Sequence, residues 1–396
     1  MNARAGKPLL VVLGMMGRCP FAGQTWLYAN WLTALESTGA DVVYVEDDIV
    51  WPYDPAEDVV TDDCSYAAAH VARTLEQIGF TGRWALRFDP IRKSDRSSVC
   101  IGMTDRELDE LYRTCDGLLN IVGATELRDV HLEAPLKIYI ETDPVTAELR
   151  LANGDEQMKT IFSHHDVFVT YGENYGMPDC GVPLSGLTFL KTRQPIDLRL
   201  WTMALDPSAR DFTTVGNYRQ DGADVEYRGE VYRWSKHHEW ERVIRLPEMT
   251  TACFQLALAA CSDEDRAMLE RHGWNVTSAR EISLDPFGAY RDYIGASRAE
   301  FTVAKDQNVR LRSGWFSERD ACYLARGKPV ITQDTGFGVS IPTGEGLFAF
   351  TTLDECVDAI ERVQTDYERH CREARHLAEE YFDGRRVAST LLNDLG

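Results

Sequence analysis

The chain has 396 residues, 44% of them hydrophobic and 27% charged, which is long enough for two domains with full cores and typical of a soluble globular protein. Its 63 Asp and Glu outnumber 42 Lys and Arg, and the formal net charge of −21 argues against a nucleic-acid backbone or an anionic membrane as main partner, though not against a small anion held by local cations. No apolar run reaches transmembrane length, no signal peptide is visible, and the ten cysteines form no CxxC pair, so reduced thiols and a cytoplasmic setting are expected.

Taken in chain order, residues 9–13 (LLVVL) read as a buried strand, followed by the turn Gly14-Met15-Met16-Gly17-Arg18. An amphipathic helix is expected from beyond Gly23 to about Ser37, ended by Gly39, with the next strand from residue 41 to 45. The turn lacks a strict GxGxxG, so a dinucleotide fingerprint is not supported. Trp26 and Trp31 could shape a sugar site or lie in the core. Helices follow near 65–78 and 105–115, and strands at 84–88, 118–122, 136–140 and 166–170. The Gly- and Pro-rich stretch 172–195 reads as the crossing to a second set, with strands at 212–215, 254–258, 301–304, 329–332 and 347–350. Helices over 353–363, 366–382 and 387–395 end the chain. Such alternation predicts an α/β fold of two doubly wound domains, with parallel sheets, helices on both faces and a ligand cleft between them.

The densest stretch is 313–338, SGWFSERDACYLARGKPVITQDTGFG. Ser317 is a good N-cap, with Glu318 and Asp320 in the first turn, and Gly327 ends the helix. A buried strand then emerges into Asp334-Thr335-Gly336. Bare N–H groups at a helix start bind phosphate, so a phosphorylated ligand is expected here; the other reading is an ordinary α/β crossover.

Several stretches together resemble the GT-B glycosyltransferases, and more closely a poorly characterised bacterial group of them. They are GMMGRCPFAGQTWLYANWLTAL, DVVYVED, YIETDP, HHDVFVTYGENYG, TRQPIDLRLW, FTTVGNY, YRDYIGASRAEFTVAK, the 313–338 segment and PTGEGLFAFTTLDECVDAI. The resemblance implies two Rossmann-like domains: an acceptor-side domain over 1–185, a nucleotide-sugar donor domain over 186–379, and residues 380–396 returning to the first. Many retaining GT-B enzymes carry two Glu residues eight apart around the donor helix; here those positions are Gly314 and Cys322. The histidine often found after the first or fourth strand of the first domain is absent as well.

Glycosyl transfer needs a stabilised leaving diphosphate, a positioned acceptor and, in inverting enzymes, a base. For the diphosphate the expected groups are Ser317, Glu318 and Arg319, with Glu318 serving the cap or a ribose hydroxyl. Lys305, past a buried strand, is a candidate cation or a solvated lysine. Arg219 and Lys236 flank the crossover where many GT-B enzymes hold the diphosphate; surface charge is their other reading. Gly216 and Asn217 end a strand facing the cleft. Asp334, Thr335 and Gly336 are placed near the donor sugar, or form an Asx-type turn. Candidate bases are Glu46 and Asp143, the latter preceding Pro144 and more simply read as the cap of the next helix. Gly14, Gly17 and Arg18 would face the acceptor or the donor phosphates. His164-His165 reads as a strand start and His237-His238 as a helix start; neither pair is expected to bind metal.

The reading is therefore a metal- and cofactor-independent glycosyltransferase. It moves a sugar from a nucleotide diphosphate sugar to a small-molecule acceptor, without nucleic acid or a membrane span. The alternatives are a GT-B-fold nucleotide-sugar epimerase or hydrolase, and a catalytically silent nucleotide-sugar-binding protein.

Overall fold

A strand apolar at every position suits the middle of a sheet covered on both faces. Leu9–Leu13 takes that place, parallel to Asp41–Asp48 on one side and Gly117–Ile121 on the other. The computed structural model describes residues 6–48, 50–88 and 99–396. Its first sheet has eight strands, in the order Phe189–Lys191, Val167–Thr170, Lys137–Glu141, Gly117–Ile121, Leu9–Leu13, Asp41–Asp48, Trp84–Phe88 and Val99–Ile101. All pair in parallel except the last, which runs antiparallel to Trp84–Phe88. The second sheet has six parallel strands, ordered Asn275–Ser278, Cys253–Ala259, Asp211–Asn217, Ala299–Thr302, Val330–Gln333 and Leu347–Phe350. Two doubly wound sheets are thus present, as the alternating pattern predicts.

Four local expectations change. Phe189–Lys191 is a strand inside the supposed crossing, so the first sheet runs past residue 185. Three residues between Pro183 and Pro195 carry too little periodicity to register. His164 caps the end of the helix Glu156–Ser163, and the strand starts only at Val167. The strand expected at 301–304 is Ala299–Thr302, because Glu300 pairs inside the sheet opposite Val330. A charged residue does not read as strand interior, and this one proves important below. Finally, an antiparallel hairpin, Val225–Tyr227 with Glu230–Tyr232, stands between Asp211–Asn217 and the helix His237–Arg242. Its Val225 and Tyr232 pack into a cluster with Tyr139, Val145 and Leu149 of the first half. Asn153 Nδ2 donates to the Glu226 carbonyl at 2.7 Å. The segment leading to Lys236 is therefore tied across the cleft.

The helix Ala22–Ser37 is buried along almost its whole length. Tyr28, Trp31 and Leu35 pack on the first sheet, while Ala22, Trp26 and Ala29 join Trp201, Tyr290, Phe316 and Phe337 of the second half. Trp26 lies 4.5 Å from Trp201 and 4.6 Å from Phe287, centroid to centroid, and its Nε1 donates to the Pro286 carbonyl at 2.8 Å. Trp31 Nε1 donates to Tyr171 Oη at 2.8 Å. Both tryptophans are core, so the helix face that could have met a sugar is occupied by protein. Trp26→Ala is expected to cost about 3–5 kcal/mol, read as a lower denaturation midpoint; an unchanged midpoint would refute the shared core.

The last helix, Gly384–Asp394, packs on Ala22–Ser37 and puts Ala388 and Leu391 into the first sheet's cluster. The two chain crossings run side by side, with Ile196 N–H donating to the Phe382 carbonyl at 2.7 Å and Gly384 N–H to the Ile196 carbonyl at 2.9 Å.

Candidate functional site

Ligands in doubly wound sheets sit beyond the strands' carboxyl ends. In the second sheet, the central strand Asp211–Asn217 ends at a cavity of about 180 Å³. Gly216, Asn217, Gln220, Lys236, Thr302 and Arg319 are among the residues lining it.

Arg319 enters from the first turn of the helix Glu318–Ala325. Its Nε bonds Glu300 Oε1, Nη1 donates to the Val215 carbonyl at 3.0 Å, and Nη2 donates to Thr302 Oγ1 at 2.8 Å and reaches Asp320 at 3.4 Å. Every side-chain nitrogen is engaged. Burial works against its charge, but Glu300 and Asp320 outweigh burial and keep the guanidinium protonated. Arg319 thus fastens two strand ends to the helix start. Ser317 Oγ accepts from Arg319 N–H at 3.2 Å, so its hydroxyl caps the helix. Glu318 turns away from the cavity, its Oε1 accepting from Asn30 Nδ2 of the helix Ala22–Ser37 at 2.8 Å, and burial pushes its carboxyl up to about 8.

Lys236 differs from its neighbours. Among the described residues it has neither an ion-pair nor a hydrogen-bond partner, and its Nζ stands 5.6 Å from the Trp315 ring centroid. Burial pushes its ammonium down to about 7, and the nearby Arg319 charge pushes the same way. A half-buried lysine without an ion-pair partner, facing a polar cavity, has the chemistry to pair with an anion.

Across the cleft, Asp143 follows the strand Lys137–Glu141 and ion-pairs with Lys305, whose ammonium also lies over the Trp234 ring. Lys305 is lowered by burial, with Asp143 opposing. Trp315 Nε1 donates to the Thr142 carbonyl at 3.0 Å. The loop holding Asp143 is therefore docked directly against the second half's loops around Lys305 and Trp315. One Asp143 oxygen holds Lys305 and the other, Oδ1, is buried without a partner among the described residues.

The remaining predicted residues are dispersed. Arg219 is bidentate to Asp265 at 2.7 Å and does not line the cavity, which separates it from Lys236. Asp334 Oδ1 accepts from Gly336 N–H at 2.8 Å, Oδ2 pairs with Arg312 at 3.3 Å, and Thr335 Oγ1 donates to the Trp315 carbonyl, so this loop is an Asx-type turn. Glu46 is buried: Oε1 accepts from Gly17 N–H and from Tyr44 Oη, and Oε2 accepts from Arg18 N–H at 2.9 Å. Burial raises its carboxyl, with the Tyr44 bond opposing. It pins the Gly14–Arg18 turn, so Glu46 is engaged there rather than a free base. A Cβ on Gly14 would come within 2.5 Å of the Tyr44 ring, so that glycine admits a neighbouring tyrosine. Arg18 pairs with Asp48. Next to Glu46, Asp47 takes bonds from Arg87, Arg128, Tyr112 and His131. Burial opposes its charge, but His131 and Arg87 hold its carboxyl well below the usual range.

Asn174 carries no sequence signal of its own. Asn174 Nδ2 donates to the Arg312 and Gly336 carbonyls at 3.2 and 3.0 Å, and its N–H to the Ser313 carbonyl at 3.0 Å. Gly314 and Gly336 have φ of +78° and +91°, and a Cβ on either would fall within 2.7 or 2.5 Å of Asn174. One asparagine of the first half thereby clasps the 312–314 and 334–336 loops of the second half. At the two positions where many retaining GT-B enzymes carry glutamates, Gly314 lies against this asparagine and Cys322 is buried. Among the described residues no group of three or more His, Cys, Asp or Glu is placed to hold a metal ion, and no helix is long and apolar enough to cross a membrane.

Comparison with known proteins adds the fold's relatives. No family model and no curated protein matches the sequence. Among solved structures, the chain is similar to Anabaena HepE in complex with UDP-glucose, at TM-score 0.58 and 11% identity over 98% of this chain and 99% of that one. It is also similar to a sucrose-phosphate synthase from Thermosynechococcus elongatus, at TM-score 0.54 and 12% identity over 98% and 99% of the two chains. The apo lipopolysaccharide outer core galactosyltransferase WaaB aligns at TM-score 0.50 and 12% identity over the same shares. These are GT-B glycosyltransferases, and at such identities the likeness establishes the fold: this chain has the GT-B fold.

Proposed function

We propose that the protein transfers a sugar from a nucleotide diphosphate sugar to a small-molecule acceptor, with the donor diphosphate at the Lys236 cavity. The observation that carries this reading is Lys236 itself: an unpaired cation beside Gly216, Asn217 and a helix start, beyond the central strand of the second sheet. The similar HepE structure holds UDP-glucose, which supports a donor of this class. Lys236 and the N–H groups at the start of Glu318–Ala325 would offset the leaving diphosphate's charge without a metal ion or a cofactor. The acceptor would enter on the side of Asp143 and the Gly14–Arg18 turn, with Asp143 the better placed base. Its release from Lys305 would free a carboxylate facing the donor loops.

A second reading is favoured by one observation. Both candidate bases are engaged, Glu46 by N–H groups and Asp143 by Lys305, as a catalytically silent nucleotide-sugar-binding protein would allow. Thermal shifts with UDP, GDP and dTDP test the shared part of the two readings: one clear stabilisation is expected, and no response to any of them would refute both. Transfer or hydrolysis of a radiolabelled donor then separates enzyme from binder, and an epimerised donor released without acceptor would point to an epimerase.

A further inference from the structure

The cavity wall behind Lys236 holds charges that do not balance in favour of an anion. Arg319 is a single cation facing two buried carboxyl groups, Glu300 and Asp320. Glu300 is completely shielded from solvent; its Oε1 takes Arg319 Nε and, at 3.4 Å, Thr214 Oγ1, while Oε2 has no partner among the described residues. Around it stand Tyr290 and Tyr293 from the helix Ala289–Ala296, Arg319, Asp320, Cys322 and Tyr323 from Glu318–Ala325, and Lys236 from the other side. Arg319 and Lys236 are the cations of this group. With both carboxyls ionised, the two cations are cancelled and the cavity offers a diphosphate no net charge. With Glu300 neutral, one positive charge remains.

We propose that Glu300 sets the anion affinity of the cavity, and that diphosphate binding is coupled to protonation of its free carboxyl oxygen. The proton comes from solvent and stays on Oε2 while the anion is bound. Glu300 is a positioning and charge-setting residue that acts through Arg319 and Lys236 rather than by touching the ligand. The proposal rests on the donor-site reading given above. Burial pushes this carboxyl up to about 8, with Arg319 opposing, so the change of state falls where it can be measured. Lys236 loses its charge over a similar range and in the same sense, so the test has to separate the two.

UDP affinity measured by calorimetry for the unaltered chain and for Glu300→Gln separates them, because Lys236 is common to both. Glutamine keeps an acceptor for Arg319 and removes the ionisable group. At pH 9, Glu300→Gln is expected to bind UDP about tenfold more tightly than the unaltered chain, and at pH 6.5 within about threefold of it. Equal or weaker binding by Glu300→Gln at pH 9 would overturn the proposal. Should Glu300→Gln fail to fold, Lys236→Arg removes the lysine's titration instead. Titrated with UDP at pH 8.5 in two buffers of different ionisation enthalpy, it is expected to take up protons, and no uptake would overturn the proposal. If no form of the protein binds UDP or inorganic pyrophosphate at any pH, the donor-site reading falls with it. Binding without the gain in Glu300→Gln removes this inference alone.

Discussion

Lys236→Met is expected to weaken UDP binding at pH 6.5 by one to two orders of magnitude, about 1.5–3 kcal/mol for a charge-assisted bond to phosphate. The fold should not suffer. Among the described residues Lys236 has no ion pair or hydrogen bond to lose, and its ammonium is held down to about 7 by burial, first of all, and by Arg319. A lysine whose folded value lies below its unfolded one penalises the native state in full below the folded value and progressively less up to the unfolded one, so stability rises with pH through the window between the two values. Methionine removes that penalty, and the melting temperature of Lys236→Met should equal or exceed that of the unaltered chain. Calorimetry for UDP and a thermal melt check the two halves. A variant that melts early and binds normally would show that Lys236 serves the fold instead.

Arg319→Met should behave in the opposite way. Removing the guanidinium strands Glu300 and Asp320 as buried carboxyls and leaves the Val215 carbonyl and Thr302 without their donors. Breaking one side of such a buried ionic group costs about 3–5 kcal/mol. Chemical denaturation should therefore show a large loss of stability without any nucleotide present. Arg319→Lys should not restore it, because an ammonium cannot span the fork of acceptors that the planar guanidinium serves. If Arg319→Met instead folds with normal stability and loses only UDP affinity, its assignment as the fastener of the strand ends is wrong.

These two cations also show what the sequence could and could not convey. The buried strand Leu9–Leu13 is legible because both faces of a parallel sheet are covered, which leaves an uninterrupted apolar run, whereas Val330–Gln333 is legible from its β-branched Val330, Ile331 and Thr332. The helix start at Ser317 is legible because capping is local chemistry between residues two apart. Glu300 is not legible, since a carboxylate inside a strand makes sense only once Arg319 lies beside it, 19 residues later in sequence. Asn174 is hidden for the same reason: it is one polar residue in an aperiodic loop, and its partners lie 138 and 162 residues away. Arg219 and Lys236 are near in sequence, yet the hairpin Val225–Tyr232 intervenes and Asp265 draws Arg219 aside. The turn Gly14–Arg18 reads as ligand-facing, but its glycines make room for Tyr44 and Val71. Backbone periodicity is encoded locally, whereas a site is made by side chains that only the fold brings together.

The most direct test is a crystal structure with whichever of UDP, GDP or dTDP stabilises the protein. The predicted result is a diphosphate with oxygens within about 3 Å of Lys236 Nζ and of the N–H groups at the start of Glu318–Ala325. A nucleotide bound elsewhere, with Lys236 still facing an empty cavity, would contradict the assignment of this cleft as the donor site.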